Sequence, residues 1–354
     1  MTGYLLAFLG TFFAIVVLAP LARHVRWVDS PGGRKMHEGH IPLTGGAAIA
    51  IGVGLSVSQF PGLHVQDVLS LLGAAICMLL IGVWDDQRGL SARLRIVLTL
   101  IVSMLIVRFE HFQLRNLGDL LILGDITTGI LAVPFTLFCI VGVVNALNMS
   151  DGMDGLAGGL SAIALLAMAW VALFAGQSRM VLLCGILFAA VVGFLCFNAR
   201  TPFRKRAAVF MGDAGSMFLG FSIAALLITL SQSAGAQQRA MTPVTALWIF
   251  ALPLLDTISV LVWRIVRGKS PFKPDREHFH HMLQDAGYTP GQSVAIMWAV
   301  AALLAVAGLC GNALSVPESW MFAGFLGVFV VYLLGMRRAR KLAEKLRTAL
   351  HLGV

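Results

Sequence analysis

Four side chains able to bind a cation or a phosphate recur at intervals of three within the segment NALNMSDGMDGLAGG, residues 145–159. They are the amides Asn145 and Asn148 and the carboxylates Asp151 and Asp154. The segment connects two long apolar runs, and a simple connection needs no such set. Carboxylate and amide oxygens suit Mg²⁺ or Mn²⁺, with a phosphate completing the coordination. The spacing therefore indicates one wall of a metal and phosphate site.

Further aspartates stand at the ends of other apolar runs. Asp85 and Asp86 occur in GVWDDQRGL, and Asp213 occurs in FMGDAGS. Each carboxylate alone is readily explained as a helix cap or a topology marker, and Asp151 and Asp213 could be N-caps because helix-forming runs follow them. Five aspartates together would repel one another without cations. We therefore expect a divalent metal, basic side chains or both.

Basic side chains occur in two other connections. The segment PGGRKMHEGH contributes Arg34, Lys35, His37 and His40, and the segment PFKPDREHFHH contributes Lys273, Arg276, His278, His280 and His281. The three histidines lack the i, i+4 pair of a helical zinc site, so zinc is the weaker alternative and phosphate contact the stronger. Glycines beside the acids let backbone N–H groups approach an anion at a helix start, although glycine is also a common turn former.

The elements that would position these residues are membrane helices. The chain has 354 residues, a mean hydropathy of +0.86, 58% hydrophobic residues and 12% charged residues, whereas soluble domains carry about 25% charged residues. Apolar runs of about 18 residues, long enough to cross roughly 30 Å of hydrocarbon, recur along it. We predict an all-α polytopic membrane protein with eleven spans. Their approximate bounds are 3–22, 45–60, 67–84, 93–109, 130–147, 158–175, 179–197, 215–231, 244–263, 293–312 and 319–336.

The distribution of charge predicts the orientation. All Lys and Arg residues except Arg108, Arg115, Arg179 and Arg239 fall on or beside one set of connections. The positive-inside rule places this set and the C-terminus in the cytoplasm, and the N-terminus in the periplasm. The net charge of +9 is then a topology signal and requires no nucleic-acid partner. The candidate site residues lie on the cytoplasmic set.

One integral catalytic domain, residues 1–336, is the simplest division, followed by a basic cytoplasmic tail, 337–354, that we expect to lie on anionic headgroups. The five cysteines lie in apolar runs without a CxxC pair and are predicted to be small buried hydrophobes. The longest outer connection, 110–129, is predicted to form a small hairpin around Asn116–Asp119.

Three questions stay open from the residues alone. Asp256, within the ninth predicted span, either makes an interhelical hydrogen bond or lies near a lipid phosphate. Arg93 and Arg95 either reach the headgroups or line the entry of a lipid phosphate. A secondary transporter is the main alternative on composition, but it would place its ionisable residues near the bilayer midplane, where only Asp256 is expected.

Five motifs, in order and each on a connection predicted to be cytoplasmic, resemble those of the polyprenyl-phosphate N-acetylhexosamine-1-phosphate transferases, the superfamily that contains MraY and WecA. The motifs are DSPGGRKMHEGHIPLTGG, GVWDDQRGLSAR, NALNMSDGMDGLAGG, FMGDAGS and DREHFHH. The HxHH form at His278–His281 is similar to the WecA branch, whereas MraY would show an HHHFE-like segment. Eleven spans with a cytoplasmic C-terminus also fit that branch better than the ten of MraY.

The resemblance implies a reaction at the inner face of the bacterial plasma membrane. UDP-GlcNAc and undecaprenyl phosphate would give undecaprenyl-diphospho-GlcNAc and UMP, beginning O-antigen, common antigen or a related cell-envelope glycan. The same resemblance allows another UDP-N-acetylhexosamine donor, such as UDP-GalNAc or UDP-FucNAc, and a homodimer.

The resemblance also implies roles for individual residues. Asp213 would be the principal Mg²⁺ ligand, with Mn²⁺ as a substitute, and Asn148 would be a second ligand. Asp85 and Asp86 would meet the lipid phosphate or help to hold the metal. The implied substrate-binding residues are Asp154 at the uracil, Phe210 stacked on it, Asp151 and Asn145 in the nucleotide pocket, Arg276 at the diphosphate and sugar, and Lys35 and His37. The implied catalytic residues, besides Asp85, Asp86 and Asp213, are His278, His280 and His281, which would grip the diphosphate and sugar beside Arg276.

The implied reaction brings anions together, so positioning and electrostatics dominate its catalysis. A phosphomonoester has its second pKa near about 6, so the lipid phosphate is mostly dianionic at neutral pH and needs no strong base. We expect direct attack in one displacement, with Asp85 as an acid/base or orienting group. A covalent aspartyl intermediate is the alternative.

Overall fold

The computed structural model is almost wholly helical. It describes residues 2–29, 39–63, 66–201, 203–233, 238–268 and 278–351, with the backbone alone at 61, 67 and 339–351. Over these residues the α-helices are α1 (Thr2–His24), α2 (Gly45–Val57), α3 (Gln66–Arg88), α4 (Ala92–Val107), α5 (Ala132–Ser150), α6 (Leu156–Phe174), α7 (Ser178–Asn198), α8 (Gly212–Ser231), α9 (Pro243–Ile249), α10 (Ala251–Val266), α11 (Phe279–Asp285), α12 (Pro290–Ala313) and α13 (Glu318–His351). The strands β1 (Val28–Asp29) and β2 (Ile41–Pro42) pair antiparallel.

Eight helices in the described part of the chain are long and apolar enough to cross a membrane, namely α1, α3, α5, α6, α7, α8, α12 and α13. The prediction of a polytopic, all-α protein is confirmed at that level. Three predicted spans take other forms. The second is the 13-residue α2, the fourth is the 16-residue α4, and the ninth is the pair α9 and α10, which meet at an angle of 83°. The count of eleven spans stays a prediction.

Helix α8 is the centre of the bundle. Nearly all of its side chains are buried, and it packs against α2, α3, α5 and α6. Gly46 of α2 lies against Gly215, and Gly82 of α3 lies against Ala214, so closely that a Cβ at either position would overlap with the α8 backbone. Such small-residue contacts let membrane helices approach one another. They hold the start of α8 beside the ends of its neighbours.

A second apolar cluster joins the later helices. Its buried members are Leu156, Leu160, Leu252, Val294, Met297 and Ala301, and Phe279 and Tyr332 pack against it. It connects α6, α10, α11, α12 and α13, so the short helix that carries the histidines is fixed to four long neighbours.

The connection 110–129 contains the predicted hairpin, with an antiparallel bridge between Asn116 and Thr127. The prediction for the cysteines is wrong in part. All five thiols are free and Cys184 is buried, but Cys196 and Cys310 are exposed because they lie on outward faces of α7 and α12.

Candidate active site

The side chains of Asp213 and Asn148 meet at one end of the bundle. Asp213 lies in the first turn of α8 and Asn148 in the last turn of α5. The Asn148 Nδ2 donates to Asp213 Oδ1 at 2.5 Å and to Ser216 Oγ at 2.9 Å. The Asp213 side chain is 32% exposed, so its carboxylate is accessible to a ligand. The structure thus brings together the two residues that the motifs assign to a metal.

Asp86 ties α3 to the start of α8. Its Oδ1 accepts the Asp213 backbone N–H at 2.8 Å, and its Oδ2 accepts that of Ala214 at 3.3 Å. Gly212 adopts φ +72°, and a Cβ there would lie 2.6 Å from the Asp86 carboxylate, so the position requires glycine. A carboxylate is also favoured at a helix N-terminus. Both oxygens of Asp86 therefore hold Asp213 in place.

Arg95 lies among oxygens from three helices. Its Nη1 is 3.0 Å from Asp85 Oδ2, 3.8 Å from Asp213 Oδ1 and 3.5 Å from Asn148 Oδ1. The other oxygen of the buried Asp85 accepts the Leu90 backbone N–H at 2.6 Å. This guanidinium is a cation of the kind that the clustered carboxylates require. Sequence reasoning did not place it in the cluster, and its position in the first turn of α4, ten residues after Asp85 and two after the end of the motif, is the signal that could have found it.

Neither Asp151 nor Asp213 caps a helix N-terminus, so that alternative is wrong for both. Asp151 follows the last residue of α5, where its backbone N–H donates to the Asn148 carbonyl at 3.2 Å. Helix α6 begins after Gly155, which adopts φ +85°. Asp213 lies inside α8, whose N-cap is Met211. In each case the helix begins at a position without a side-chain cap.

Asp151 is surrounded by other carboxylates. Burial raises the pKa of its carboxyl well above the ordinary value, and the carboxylates of Asp213, Asp86 and Asp154 raise it further. Neighbouring carboxylates disfavour one another's ionised forms unless a cation offsets them. A divalent cation or cationic side chains would therefore stabilise this turn.

Asp154 is held by the segment that follows α7. Its Oδ2 accepts the Arg200 Nε–H at 2.8 Å and the Ala207 backbone N–H at 3.1 Å. Among the described residues, no donor reaches its Oδ1. That oxygen can accept a hydrogen bond from a ligand such as a nucleobase imide.

Asn198 cross-links the two loops beside the predicted nucleobase position. Its buried amide accepts the Gly155 backbone N–H at 2.8 Å and donates to the Val209 carbonyl at 2.9 Å. The next residue, Phe210, donates its backbone N–H to the Pro42 carbonyl at 2.9 Å. Sequence reasoning missed Asn198 and the Arg200 contact because neither stands in one of the five motifs.

The histidine segment faces the turn between α5 and α6. His278 Nδ1 lies 2.8 Å from Asp256 Oδ2, and both side chains are buried. The His280 ring is nearly parallel to that of His278 at 5.7 Å, and a Cβ at Gly152 would lie 2.9 Å from His280 Nε2. His281 contacts His280 with ring centroids 4.1 Å apart. Of the two alternatives for Asp256, the structure shows the interhelical hydrogen bond.

The predictions for four further substrate-binding residues have different outcomes. Lys35, His37 and Arg276 lie outside the described residues. Asn145 is described, and its Nδ2 donates to the Val141 carbonyl of its own helix at 2.8 Å. The side-chain amide of Asn145 is therefore hydrogen-bonded to the backbone of its own helix.

The oxygen atoms around Arg95 fit a hard divalent cation. Asp85, Asn148 and Asp213 each place an oxygen near one cationic nitrogen, and oxygen is the ligand that Mg²⁺ prefers. Within the described ranges, no three His, Cys, Asp or Glu side chains form a metal-binding group by themselves. Substrate oxygens would have to complete the shell, as is usual for Mg²⁺ beside phosphates.

Comparison with known proteins identifies the family. Residues 68–231 match the model of glycosyl transferase family 4. The undecaprenyl-phosphate alpha-N-acetylglucosaminyl 1-phosphate transferase of Haemophilus influenzae is 35% identical over 98% of this chain and 97% of its own length. Those of Yersinia pestis and Escherichia coli K12 are 34% and 33% identical over 97% of this chain and 93% and 92% of theirs. The chain belongs to this transferase family.

Membership of this family confirms the resemblance to polyprenyl-phosphate sugar-1-phosphate transferases and its WecA branch, and with it the enzyme class. The matched region runs from α3 to the end of α8. It contains Asp85, Asn148 and Asp213, whose oxygens surround Arg95, whereas the histidine segment comes later in the chain.

Proposed function

We propose that this protein transfers GlcNAc-1-phosphate from UDP-GlcNAc to undecaprenyl phosphate and releases UMP. The observation that carries the proposal is the cluster of Asp85, Asn148 and Asp213 around Arg95, at one end of an apolar helical bundle. Such a cluster can hold a cation and phosphates at the membrane edge. The comparisons support the proposal, because the chain is similar over nearly its full length to relatives named for this transfer.

The reaction is one displacement at phosphorus. An oxygen of the lipid phosphate forms a bond to the sugar-bearing phosphorus, the bond from that phosphorus to the bridging oxygen breaks, and UMP leaves with its electron pair. Asp85 is 5% exposed, and Arg95 and the Leu90 N–H engage its two oxygens. It is therefore better suited to orienting Arg95 than to acting as a nucleophile or a base.

The cofactor is Mg²⁺, with Mn²⁺ as a substitute. Asp213 and Asn148 would hold it, with Asp85 next to them, and when bound it would offset the charge of the reacting phosphates. Asp86 has both oxygens on the backbone at the start of α8. We therefore assign Asp86 to positioning Asp213 and not to the metal.

The nucleotide would lie between the α5–α6 turn and the segment before α8. The free oxygen of Asp154 would accept the uracil imide, and Phe210 would stack on the base. Asp151 would shape the turn, and the imidazoles of His278 and His280 would face the diphosphate and sugar. The placement of the imidazoles is supported by the closeness of His280 to Gly152 in the α5–α6 turn.

The polyprenyl chain would enter an apolar cavity of about 280 Å³ between α5, α8 and the bent pair α9–α10. Val143, Leu247 and Leu254 are among its lining residues. Val143 stands five residues before Asn148, which is about 7.5 Å along a helix. The rest of the lining extends to Leu114 and Ser231 at the opposite end of the bundle, so the phosphate would lie at the Val143 end and the lipid chain would run away from the site.

The enzyme would work at the cytoplasmic face of the bacterial plasma membrane. Arg200, Lys205 and Arg264 stand at the same end of the bundle as the site, whereas Arg115 and Arg239 stand at the other. This arrangement follows the positive-inside rule. Its product is the lipid-linked sugar on which a cell-envelope glycan such as O-antigen or common antigen would begin.

Release of UMP by the purified protein tests the proposal. With Mg²⁺, UDP-GlcNAc and undecaprenyl phosphate we expect release, its loss on adding EDTA and its return with excess Mg²⁺ or Mn²⁺. We expect Asp213→Asn to lower kcat by about 100-fold or more, the size of effect seen when one electrostatic stabiliser of a transition state is removed.

The matched control is Asp119→Asn in the outer connection, which we expect to keep full activity. Absence of UMP release by the wild-type protein would contradict the proposed function, and full activity of Asp213→Asn would contradict the metal assignment. A panel of UDP-N-acetylhexosamines in the same assay tests the donor. Faster reaction with UDP-GalNAc or UDP-FucNAc would replace UDP-GlcNAc in the proposal.

The stereochemistry at phosphorus distinguishes the two mechanisms. A donor with a chiral sugar-bearing phosphorus gives inversion in a single displacement, because the attacking and leaving oxygens lie in line. Retention would require a covalent intermediate and would overturn direct attack.

A further inference from the structure

Asp256 is a buried carboxylate with three hydrogen-bond donors. It is 3% exposed and lies in α10. Its Oδ2 is 2.8 Å from His278 Nδ1, and its Oδ1 accepts the Phe279 backbone N–H and the Tyr332 hydroxyl, each at 2.9 Å. A buried charge is tolerated when it is paired and hydrogen-bonded. The carboxylate therefore joins three parts of the chain: α10, the start of α11 and α13.

The geometry determines which nitrogen of His278 carries a proton. A carboxylate accepts hydrogen bonds, so the ring nitrogen that faces Asp256, Nδ1, must be the donor. The other nitrogen, Nε2, is then the one available to a ligand. A hydrogen bond at one ring nitrogen commonly sets the tautomer and orientation of the other.

The same contacts fix where the imidazoles stand. His278 is the N-cap residue of α11, and Phe279, the first residue of that helix, packs edge-to-face on Tyr332 with ring centroids 5.7 Å apart. The His280 ring lies nearly parallel to that of His278 and approaches Gly152 of the α5–α6 turn. Displacement of the Asp256 carboxylate would therefore be transmitted to the turn that bears Asp151 and Asp154.

We propose that Asp256 is a positioning residue, which fixes His278 in the Nδ1–H tautomer and holds the His278–His280 pair against the Gly152 turn, where the sugar-phosphate part of the donor binds. The last clause rests on the proposed function. The tautomer of His278 and the anchoring of α11 do not depend on the proposed function.

The tautomer is measured by NMR on protein labelled with ¹⁵N-histidine, at alkaline pH so that the ring is neutral. His278→Gln assigns the signal by removing it. In the wild-type protein we expect His278 to be protonated at Nδ1. In Asp256→Asn we expect the proton to move to Nε2, because the asparagine can turn its N–H₂ group toward Nδ1. Protonation at Nε2 in the wild-type protein would overturn the proposal whether or not the variant folds.

Kinetics measure the consequence for the donor site. For Asp256→Asn we expect kcat/KM for UDP-GlcNAc to fall about 10- to 100-fold, the usual effect of removing a group that orients a ligand-binding imidazole. We expect the KM for undecaprenyl phosphate to stay unchanged. Equal increases in KM for both substrates would indicate a general loss of structure and would count against a positioning role.

Two variants serve as controls. Thr257→Val changes the next residue of α10, whose hydroxyl has no hydrogen-bond partner among the described residues, and we expect it to retain wild-type kinetics. Tyr332→Phe removes one donor from Asp256 and leaves the pair with His278, so we expect a smaller loss than in Asp256→Asn. A loss in Tyr332→Phe as large as that in Asp256→Asn would contradict the assigned role of His278.

Failure of this proposal can be told apart from failure of the proposed function. If the wild-type protein released no UMP, the tautomer of His278 could still be measured. If UMP were released and Asp256→Asn retained both full activity and the Nδ1–H tautomer, the proposed function would stand and the role of Asp256 would be refuted.

Discussion

Arg95 connects side chains of three helices that are far apart in the sequence. One of its nitrogens lies within 3.8 Å of oxygens from Asp85, Asn148 and Asp213. Guanidinium stays protonated under all ordinary conditions, and its fork of N–H donors matches phosphate oxygens as well as carboxylates. The residue can therefore hold the carboxylate cluster together and bind a phosphorylated substrate with the same atoms.

Replacement of Arg95 tests this dual role. We expect Arg95→Ala to lower kcat/KM for UDP-GlcNAc by about 100-fold, the size of effect seen for loss of one electrostatic donor to the transition state. Arg95→Lys keeps the charge but loses the planar fork, so we expect an intermediate value. Steady-state UMP release measures both.

The matched control for Arg95 is Arg93→Ala. Arg93 lies two residues earlier on the same helix and is exposed. We expect its replacement to leave kcat/KM unchanged. If both variants lost activity equally, the effect would belong to the basic character of this helix and not to the contacts of Arg95.

The sequence alone predicts a large part of the cluster. Asn148 and Asp213 were expected to share a site, and they form a direct hydrogen bond although they stand 65 residues apart in the chain. The role of Arg95 could not be read in the same way, since an arginine at a helix start is equally expected at a lipid headgroup. Asn198 was missed because a single buried amide has no local signal, and only its partners Gly155 and Val209 reveal its use.

At the scale of elements, the bend between α9 and α10 has a local cause. Phe250 separates the two helices, whose axes differ by 83°. Pro253, in the first turn of α10, cannot donate to the Ile249 carbonyl, because proline has no backbone N–H. A proline is a common cause of a sharp helix break. Residues on both sides of the break, among them Leu247 and Leu254, line the apolar cavity that we assign to the polyprenyl chain.

A bulky substitution in this cavity tests that assignment. Leu247→Trp on α9 would fill part of the space, so we expect the KM for undecaprenyl phosphate to rise and the KM for UDP-GlcNAc to stay unchanged. The control is Leu261→Trp, which adds the same side chain to an exposed face of α10. Equal effects of the two variants, or a change confined to UDP-GlcNAc, would place the lipid chain elsewhere.

Hydropathy predicted which segments form apolar helices but not the shapes of those helices. Each predicted span overlaps a helix or, for the ninth, a bent pair. Apolar composition depends on residue type along the chain and carries no information about the direction of a helix axis. The 83° bend therefore could not be predicted from it. The short α2 could not be anticipated either, because its close contact with α8 through Gly46 and Gly215 depends on the folded bundle.

At the scale of the whole molecule, basic side chains and the candidate active site lie at the same end of the helical bundle. The carboxylate cluster, Arg200 and the histidine helix α11 stand there, whereas the hairpin around Asn116 and the ion pair of Arg239 with Glu318 stand at the opposite end. The positive-inside rule assigns the first end to the cytoplasm. This assignment is supported by the separation of charge between the two ends of the bundle.

Reporter fusions test this orientation. We expect alkaline phosphatase fused after Gly124 to be active and green fluorescent protein fused after Lys205 to fluoresce, because the first works only outside the cytoplasm and the second only inside. The reciprocal fusions at the same two positions serve as controls, and both should be silent. Phosphatase activity after Lys205 would reverse the predicted topology.

The last helix is longer than a membrane crossing requires. Helix α13 has 34 residues, which is about 51 Å of helix, against a hydrocarbon thickness of about 30 Å. It passes without a break through the predicted boundary at residue 336. The division into a catalytic domain and a basic tail stays a prediction, and the tail would begin as a direct continuation of the last span.

The hydrogen bond from Tyr332 to Asp256 has a consequence for biosynthesis. Tyr332 follows every one of the five motifs in the chain, so a ribosome has translated all of them before this hydroxyl exists. A partly synthesised chain already inserted in the bilayer would thus contain the complete set of motifs while Asp256 still lacked one of its three donors. The last of these hydrogen bonds would form only when the final helix is inserted.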